Sequence, residues 1–234
     1  MKIVGVSSSP NKNGNTATLL REVLKGARSF GATTEEIILA DYTIQFCRGC
    51  LSCMVNGGCV INDDFATLKK KIKEADGLVL GSPTYAYSLN GQMKQFFERF
   101  GMFDFMTSES FGGKYFVAVA TTGGMGVKRT VKNLTGPLKN GIFRRGFESG
   151  TVTAATGKTP VAENSAVLAQ AFEAGKKLAL DIQQNATYPF QNLFHRFIAG
   201  AVMRPRFTGF IKAGKDNGRM KAVHNCLSES GMLK

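Results

Sequence analysis

The stretch "KIVGVSSSPNKNGNTATLLREVL", residues 2–24, contains the pattern that decides the fold. Its first six residues are rich in β-branched side chains and predict a buried strand, which a loop of serines and asparagines follows. A helix then begins near Asn15, because the apolar residues from Leu19 onward recur at helical spacing. The order strand, polar loop, helix is the repeating unit of a parallel sheet covered by helices.

The loop of this first unit has the composition of an anion site. Three consecutive hydroxyl residues, 7–9, lead through Gly14, Asn15 and Thr16 directly into the helix. Free backbone N–H groups at a helix start, together with the helix dipole, favour a phosphate there. The alternative is ordinary helix capping by Asn15 or Thr16. Neither a Walker loop nor G-x-G-x-x-G is present, which disfavours nucleoside triphosphates and dinucleotides.

Strand-like and helix-like segments alternate along the rest of the chain. Apolar runs at residues 33–40, 77–83, 114–124 and 147–155 predict four further strands, and amphipathic segments between them predict helices. The five units predict an α/β fold, a doubly wound five-stranded parallel sheet with helices on both faces. Asp63 or Asp64 is expected to cap the helix that follows them.

The alternation ends near residue 184. We expect residues 1–184 to form one domain. Residues 185–234 are expected to form a basic, partly helical C-terminal extension packed on that domain or on a second subunit. The extension contains eight Lys/Arg against two acidic residues, a large share of the net charge of +13. Such a balance favours acidic partners or anionic surfaces.

Composition excludes several classes of protein. The chain has 234 residues, 43% of them hydrophobic and 20% charged, which is typical of a globular protein. No apolar run is long enough for a transmembrane segment, and the N-terminal apolar stretch is too short for a secretory signal. We therefore expect a cytoplasmic protein, in which clustered thiols stay reduced and serve metal or redox chemistry.

Two further loops have a composition suited to a ligand. Ligands of an open parallel sheet bind at the carboxyl ends of its strands, where the strand order reverses. The third strand ends in "SPTY", residues 82–85, a rigid turn with an aromatic edge that suits a flat ring. The fourth ends in "TTGG", residues 121–124, where glycine allows backbone to approach a ligand closely. Each loop alone is compatible with an ordinary turn, so the three are informative only together.

Four of the five cysteines lie within thirteen residues, in a loop at residues 45–62. Cys47, Cys50, Cys53 and Cys59 follow the spacing C-x2-C-x2-C-x5-C. Structural zinc usually takes its ligands from two separated pairs, whereas C-x2-C-x2-C is typical of bacterial ferredoxins. An oxidative disulfide and inert thiols are the remaining alternatives. Cys226 lies far away in the sequence and is expected to be a buried or spare thiol.

As a set, these features resemble a known family. The loops "GVSSSPNKNGNT", "GSPTYAYSLNGQMKQFFER" and "ATTGG" resemble the FMN-contacting loops of NAD(P)H-dependent FMN reductases, a branch of the flavodoxin-like superfamily. With the cysteine pattern, the chain is most similar to the iron-sulfur flavoproteins of that branch. The resemblance covers roughly residues 1–184. It implies a flavodoxin-like sheet, bound FMN and a 4Fe-4S cluster on Cys47, Cys50, Cys53 and Cys59.

The resemblance also assigns cofactor-binding residues by position. In the first loop, Ser8 replaces the usual glycine and Asn11 the usual arginine, so Lys12 is the candidate cation near the phosphate. Three groups of residues are implied, for the FMN phosphate, for the isoalloxazine and for the third side of the site. They are Ser7, Ser9, Asn13, Asn15 and Thr16; Ser82, Pro83, Thr84, Tyr85, Asn90 and Gly91; and Thr121, Thr122, Gly123 and Gly124.

The resulting functional hypothesis is an FMN-dependent oxidoreductase that passes electrons between NAD(P)H or a one-electron carrier and an acceptor. No catalytic side chain is expected, since the cofactors supply the chemistry and neither His195 nor His224 has a nucleophile at suggestive spacing. A homodimer or homotetramer is implied by the family, and the basic surface suits an acidic electron carrier such as ferredoxin. Nucleic acid is not expected, because no zinc-finger, helix-turn-helix or ribonucleoprotein motif occurs.

Two alternatives stay open at this stage. One is an NAD(P)H-dependent FMN or quinone-type reductase whose cysteines hold no cluster. The other is a non-enzymatic, flavodoxin-like module that binds anions or a membrane surface through residues 185–234, where "FQNLFHRFIAGAVMRPRF" mixes apolar and basic side chains.

Overall fold

A parallel sheet in the order β2-β1-β3-β5-β6 forms the centre of the computed structural model, which describes residues 1–157 and 159–233. The chain leaves β1 toward β2 on one side and then returns to β3 on the other. The strand order therefore reverses at the carboxyl ends of β1 and β3. The strands are β1 (Lys2–Ser7), β2 (Thr33–Ile38), β3 (Gly77–Tyr85), β4 (Ser88–Leu89), β5 (Tyr115–Thr122) and β6 (Phe147–Ala155).

Helices cover both faces of this sheet, as the sequence predicted. Side chains of successive strand residues alternate between the two faces, so Val4 and Val6 join one apolar core while Ile3 joins the other. The first core packs under α3, α4 and α5, and the second under α1 and α6. These helices are α1 (Asn15–Arg28), α3 (Phe65–Glu74), α4 (Gly91–Thr107), α5 (Val127–Lys139) and α6 (Ser165–Gln183).

Three local features differ from the sequence expectations. The short strand β4 pairs antiparallel with the end of β3 and was not predicted. A five-residue helix, α2 (Ser52–Asn56), lies inside the cysteine loop. Helix α4 continues to Thr107 but is kinked at Gly101, whose φ of 64° and ψ of −166° are not helical. All three lie near the carboxyl edge loops or the cysteine loop, where hydrophobic periodicity is a poor guide.

The C-terminal extension is mostly helical. It comprises α7 (Leu193–Ile198), a π-helical turn (Ala199–Met203), α8 (Arg204–Asp216) and α9 (Lys221–Glu229). Part of it forms a third apolar cluster with α2 and α4, in which Val223 and Leu227 of α9 pack with Met54 of the cysteine loop. The extension thus contacts the cysteine loop of its own chain. The division at residue 184 stays a prediction.

Within the described ranges 1–157 and 159–233, no helix has the length and apolar character needed to cross a membrane.

Candidate functional site

The loops after β1 and β3 are joined at the carboxyl edge of the sheet. The backbone N–H of Ser8 donates to the carbonyl of Gly81 at 2.9 Å. Asn90, just before α4, donates from its side-chain amide to the carbonyl of Ser8 at 2.6 Å and caps α4 by accepting from the N–H of Met93. The hydroxyl of Ser82 accepts from the backbone N–H of Asn90 at 3.1 Å. Asn90 therefore holds both loops in place while it begins the helix.

The N-terminus of α1 is open to a ligand. Gly14 is extended and no side chain of the described residues caps the helix, so the capping alternative for Asn15 and Thr16 is wrong. Asn15 instead accepts from the backbone N–H of Val161 at 2.9 Å, and the hydroxyl of Thr16 pairs with that of Thr121 at 2.7 Å. The first-turn N–H groups are thus left without a side-chain acceptor, which is the arrangement of an anion site.

The remaining cation of the first loop has a carboxylate partner in this structure. Lys12 forms an ion pair with Asp41, which follows β2. Asn13 is exposed, and its backbone N–H donates to the side chain of Asn11 at 3.1 Å. The loop therefore offers backbone N–H groups and hydroxyls to an anion, whereas Lys12 is already neutralised by a carboxylate.

The turn after β3 provides an aromatic surface at the same edge. Tyr85 is 53% exposed, and the chain turns back through Ala86 and Tyr87, both at positive φ. Gly126 lies against this turn at φ 96°, where a Cβ atom would approach the Cα of Tyr87 to 2.7 Å. Only glycine fits there. The loops after β3 and β5 are consequently packed directly against each other.

The fold places the predicted residues of the three loops at one edge of the sheet. They differ in exposure. The buried residues hold the loops together, and the exposed ones are accessible to a ligand. Buried are Ser7, Ser9, Thr16, Ser82, Pro83, Asn90, Thr121 and Thr122; half-buried are Asn15 and Thr84; exposed are Asn13, Tyr85, Gly91, Gly123 and Gly124.

The four clustered cysteines line one cavity of about 360 Å³. All four are free thiols, and only Cys53 is partly buried. Gly101, at the kink of α4, belongs to the same cavity, and a Cβ atom there would lie 3.3 Å from the sulfur of Cys53. The kink thus lets the cysteine loop approach α4. Across residues 1–157 and 159–233, no group of three or more His, Cys, Asp or Glu side chains is arranged to hold a metal ion.

Sequence reasoning missed Arg99 and underestimated Asp63. Asp63 accepts from the N–H of Phe65 at 3.1 Å, so it does serve the start of α3, whereas Asp64 makes no side-chain cap. It also accepts from the backbone N–H of Gln45 and forms a two-point ion pair with Arg99. Arg99 lies on the apolar side of α4. The signal in the sequence that could have pointed to it is a cation among apolar residues with no acidic residue at helical spacing to pair with it.

Electrostatics separate the clustered thiols from the distant one. Hydrogen bonds from the side chain and backbone of Ser52 lower the pKa of Cys50, which favours the thiolate. Burial raises the pKa of Cys226 and keeps it a thiol. Burial alone would raise the pKa of Asp63, but hydrogen bonds from Arg99, Gln45 and Phe65 outweigh burial and lower it. Asp63 is therefore a carboxylate beside the cysteine loop.

Comparison with known proteins gives this geometry a family. Residues 1–152 match the family of NADPH-dependent FMN reductases, which is more than half of the chain. The chain belongs to the NADPH-dependent FMN reductase family. For this FMN reductase family member, the three loops at the carboxyl edge and the cysteine loop all fall within the matched residues.

Curated relatives of this family member share the name iron-sulfur flavoprotein. One from Methanocaldococcus jannaschii is 40% identical over 126 residues, which cover 53% of this chain and 65% of the relative. One from Archaeoglobus fulgidus is 34% identical over 54% of this chain and 56% of the relative. Both matches span less than two thirds of the relatives' length. One from Clostridioides difficile is 26% identical over the whole of both chains.

Solved structures similar to this family member share its fold. A flavone reductase superposes with a TM-score of 0.63 at 22% identity, covering 80% of this chain and 66% of that protein. An archaeal flavodoxin superposes with a TM-score of 0.54 at 14% identity, covering 78% of this chain and 99% of that protein. The predicted flavodoxin-like fold is confirmed.

Proposed function

We propose that this chain is an FMN-dependent oxidoreductase with a 4Fe-4S cluster, passing electrons between NAD(P)H or a one-electron carrier and an acceptor. The open N-terminus of α1, beside buried hydroxyls and an exposed tyrosine, is the observation that carries the FMN assignment. When bound, FMN exchanges electrons singly or in pairs, and a cluster exchanges them one at a time.

The phosphate of FMN would be held at the start of α1. Thr16 is 2% exposed and its hydroxyl is already paired with Thr121, so its side chain joins two loops while its backbone N–H belongs to the first turn of α1. Ser7 and Ser9 are buried in the loop that leads to this turn, and the hydroxyl of Ser9 bonds the backbone of Asn11. Backbone N–H donors and the helix dipole suit a dianionic phosphate without a paired cation.

The isoalloxazine would lie against the turns after β3 and β5. Tyr85 is exposed there, and a Cβ atom added at Gly123 or Gly124 would meet nothing within 4 Å. A flat ring needs this combination of an aromatic edge and backbone that it can approach closely. The protein's own side chains orient the ring and exclude water on one side; no acid or base among them is needed.

The cluster would be held by Cys47, Cys50, Cys53 and Cys59. Two observations of the chain fit this group: the four thiols share one cavity, and a buried N–H donor of Arg99, at Nε, finds no acceptor among the described residues. The names of the curated relatives support the same assignment. The spacing C-x2-C-x2-C within this loop is that of bacterial ferredoxins, whose thiolates hold such a cubane.

Exposed aromatic side chains of the extension and the net charge of the chain support two proposals about partners. Phe190, Phe194 and Phe197 are each more than 70% exposed, which favours burial in a homodimer or homotetramer. The net charge of +13 favours an acidic electron carrier such as ferredoxin at another part of the surface. The electrons would then enter through NAD(P)H or through such a carrier.

The test is chemical analysis of anaerobically purified protein and its Cys50→Ala variant. Acid-released flavin is expected to be FMN in both, because its loops lie on other strands. Iron and sulfide are expected in the parent and are expected to be lost together in Cys50→Ala, while Cys226→Ala retains them. FAD, or no flavin after reconstitution, would contradict the FMN assignment. FMN without iron in the parent would favour the cluster-free reductase. Stoichiometric zinc in place of iron would indicate that the cysteine loop is a structural zinc site.

A further inference from the structure

Arg99 is a fully buried cation beneath the cysteine loop. Its side chain is 0% exposed, and that of its partner Asp63 is 3% exposed. The two groups meet in a forked pair, with Nη1 2.5 Å from Oδ2 and Nη2 3.1 Å from Oδ1. A buried charge on an apolar helix face carries a large desolvation cost, so its presence calls for a function beyond stability.

The guanidinium group of Arg99 connects both ends of the cysteine loop. Nη1 donates to the backbone carbonyl of Gln45 at 2.8 Å, just before the first cysteine. Nη2 lies 3.5 Å from the sulfur of Cys59, the last of the four. Asp63 reinforces this by accepting from the N–H of Gln45 at 2.8 Å. One ion pair, between Arg99 of α4 and Asp63 just before α3, thus closes the segment that contains all four thiols.

We propose that Arg99 is a positioning residue that holds the cysteine loop closed and raises the reduction potential of the cluster through its charge beside Cys59. This inference rests on the proposed cluster. Adding an electron to thiolate-ligated iron increases negative charge, which a nearby buried cation stabilises. Asp63 has the opposite sign and partly offsets Arg99, so the two members of one ion pair have opposite effects on the potential.

The opposite signs distinguish a charge effect from a structural one. Arg99→Gln removes the cation and leaves the carboxylate. The equilibrium constant for one-electron reduction of the cluster should therefore fall about tenfold, which shifts the reduction potential by about −59 mV. Asp63→Asn leaves the cation without its counter-ion, so the potential should rise. Loosening of the loop by either change would move both potentials in the same direction.

The experiment is an EPR-monitored redox titration of the anaerobic holoprotein, with iron, sulfide and FMN measured first. Lys94→Gln is the matched control, because Lys94 is on the same helix and the change removes one positive charge from an exposed pair with Glu98. Its potential should equal that of the parent, since solvent screens exposed charges. Arg99→Lys should keep the potential near the parent value while it loses the forked contact and some of the iron.

The outcomes separate this inference from the proposed function. A parent that binds no iron overturns the cluster itself, and with it the role of Arg99. A parent with iron and sulfide whose Arg99→Gln and Asp63→Asn variants shift alike, or not at all, overturns the charge effect alone. If Arg99→Gln fails to retain a cluster, Asp63→Asn decides, because an unchanged or lower potential in that variant contradicts the inference.

Discussion

The two candidate sites of this molecule are built in different ways. The loops at the carboxyl edge follow strands of the central sheet and are joined by short hydrogen bonds between buried groups, such as the pair Thr16–Thr121. The cysteine loop belongs to no strand, exposes most of its thiols, and is held by one buried ion pair and by helix α9 of the extension. A site at strand ends needs few extra contacts, whereas a site in a loop depends on distant elements.

The largest difference between the two regions is expected when the contact of α9 with the cysteine loop is weakened. Leu227 is fully buried in the apolar cluster that includes Met54. Leu227→Ala should destabilise this cluster by about 2–5 kcal/mol. Amide hydrogen exchange should then accelerate at residues 52–56 and remain unchanged at residues 3–7, which lie in β1.

Leu193→Ala is the control for this change, because Leu193 is 58% exposed in the same extension. It should leave exchange in both regions unchanged. Equal acceleration at residues 52–56 and 3–7 after Leu227→Ala would mean that the two regions unfold as one unit, and the contrast between them would be lost.

A smaller effect, in the opposite region, is expected from Thr16→Val. The substitution keeps the shape of the side chain but removes the hydroxyl group that pairs with Thr121 across two loops. One net hydrogen bond contributes about 1 kcal/mol, so FMN affinity, measured by fluorescence titration of the apoprotein, should fall about fivefold. Iron content should not change.

Thr67→Val is the matched control, since Thr67 is an exposed residue of α3. Its FMN affinity should equal that of the parent. Similar losses in both variants would show that the phosphate site lies elsewhere.

The smallest expected effect is a pH dependence of folding stability that comes from a residue outside both sites. Lys114, just before β5, donates to the carbonyl groups of Lys73 and Ala75, and burial lowers its pKa to about 8. The folded protein therefore releases this proton at lower pH than the unfolded chain does, for which the pKa is about 10.4. Since the unfolded state binds more protons in between, stability should rise modestly from about pH 8 to about pH 10.

This pH dependence can be measured from urea midpoints at pH 7.5 and pH 9.5 in the parent and in Lys114→Met. The rise should be reduced in the variant, and FMN and iron contents should be the same in both proteins. A rise of equal size in the variant would assign the pH dependence to other groups.

Much of the sheet and of its edge could be predicted from the sequence. Strands β1, β3 and β5 are short apolar runs whose last residues include Ser, Thr or Pro. This composition can be read from the sequence without knowing how the chain packs. The positions of the loops follow from the parallel arrangement alone. Local conformation was harder to predict. The start of α1 is open because Asn15 and Thr16 form hydrogen bonds with Val161 and Thr121, which lie 146 and 105 positions farther along the sequence.

The amino-acid sequence by itself determined the alternation of strands and helices, the three polar loops and the spacing of the four cysteines, because these are properties of neighbouring residues. Only the tertiary structure decided which distant groups meet. Arg99 pairs with Asp63 across 36 positions, and Leu227 packs on Met54 from the far end of the chain. No local sequence pattern predicts these two contacts. A buried ion pair or an apolar cluster forms only when distant elements pack around it and exclude water.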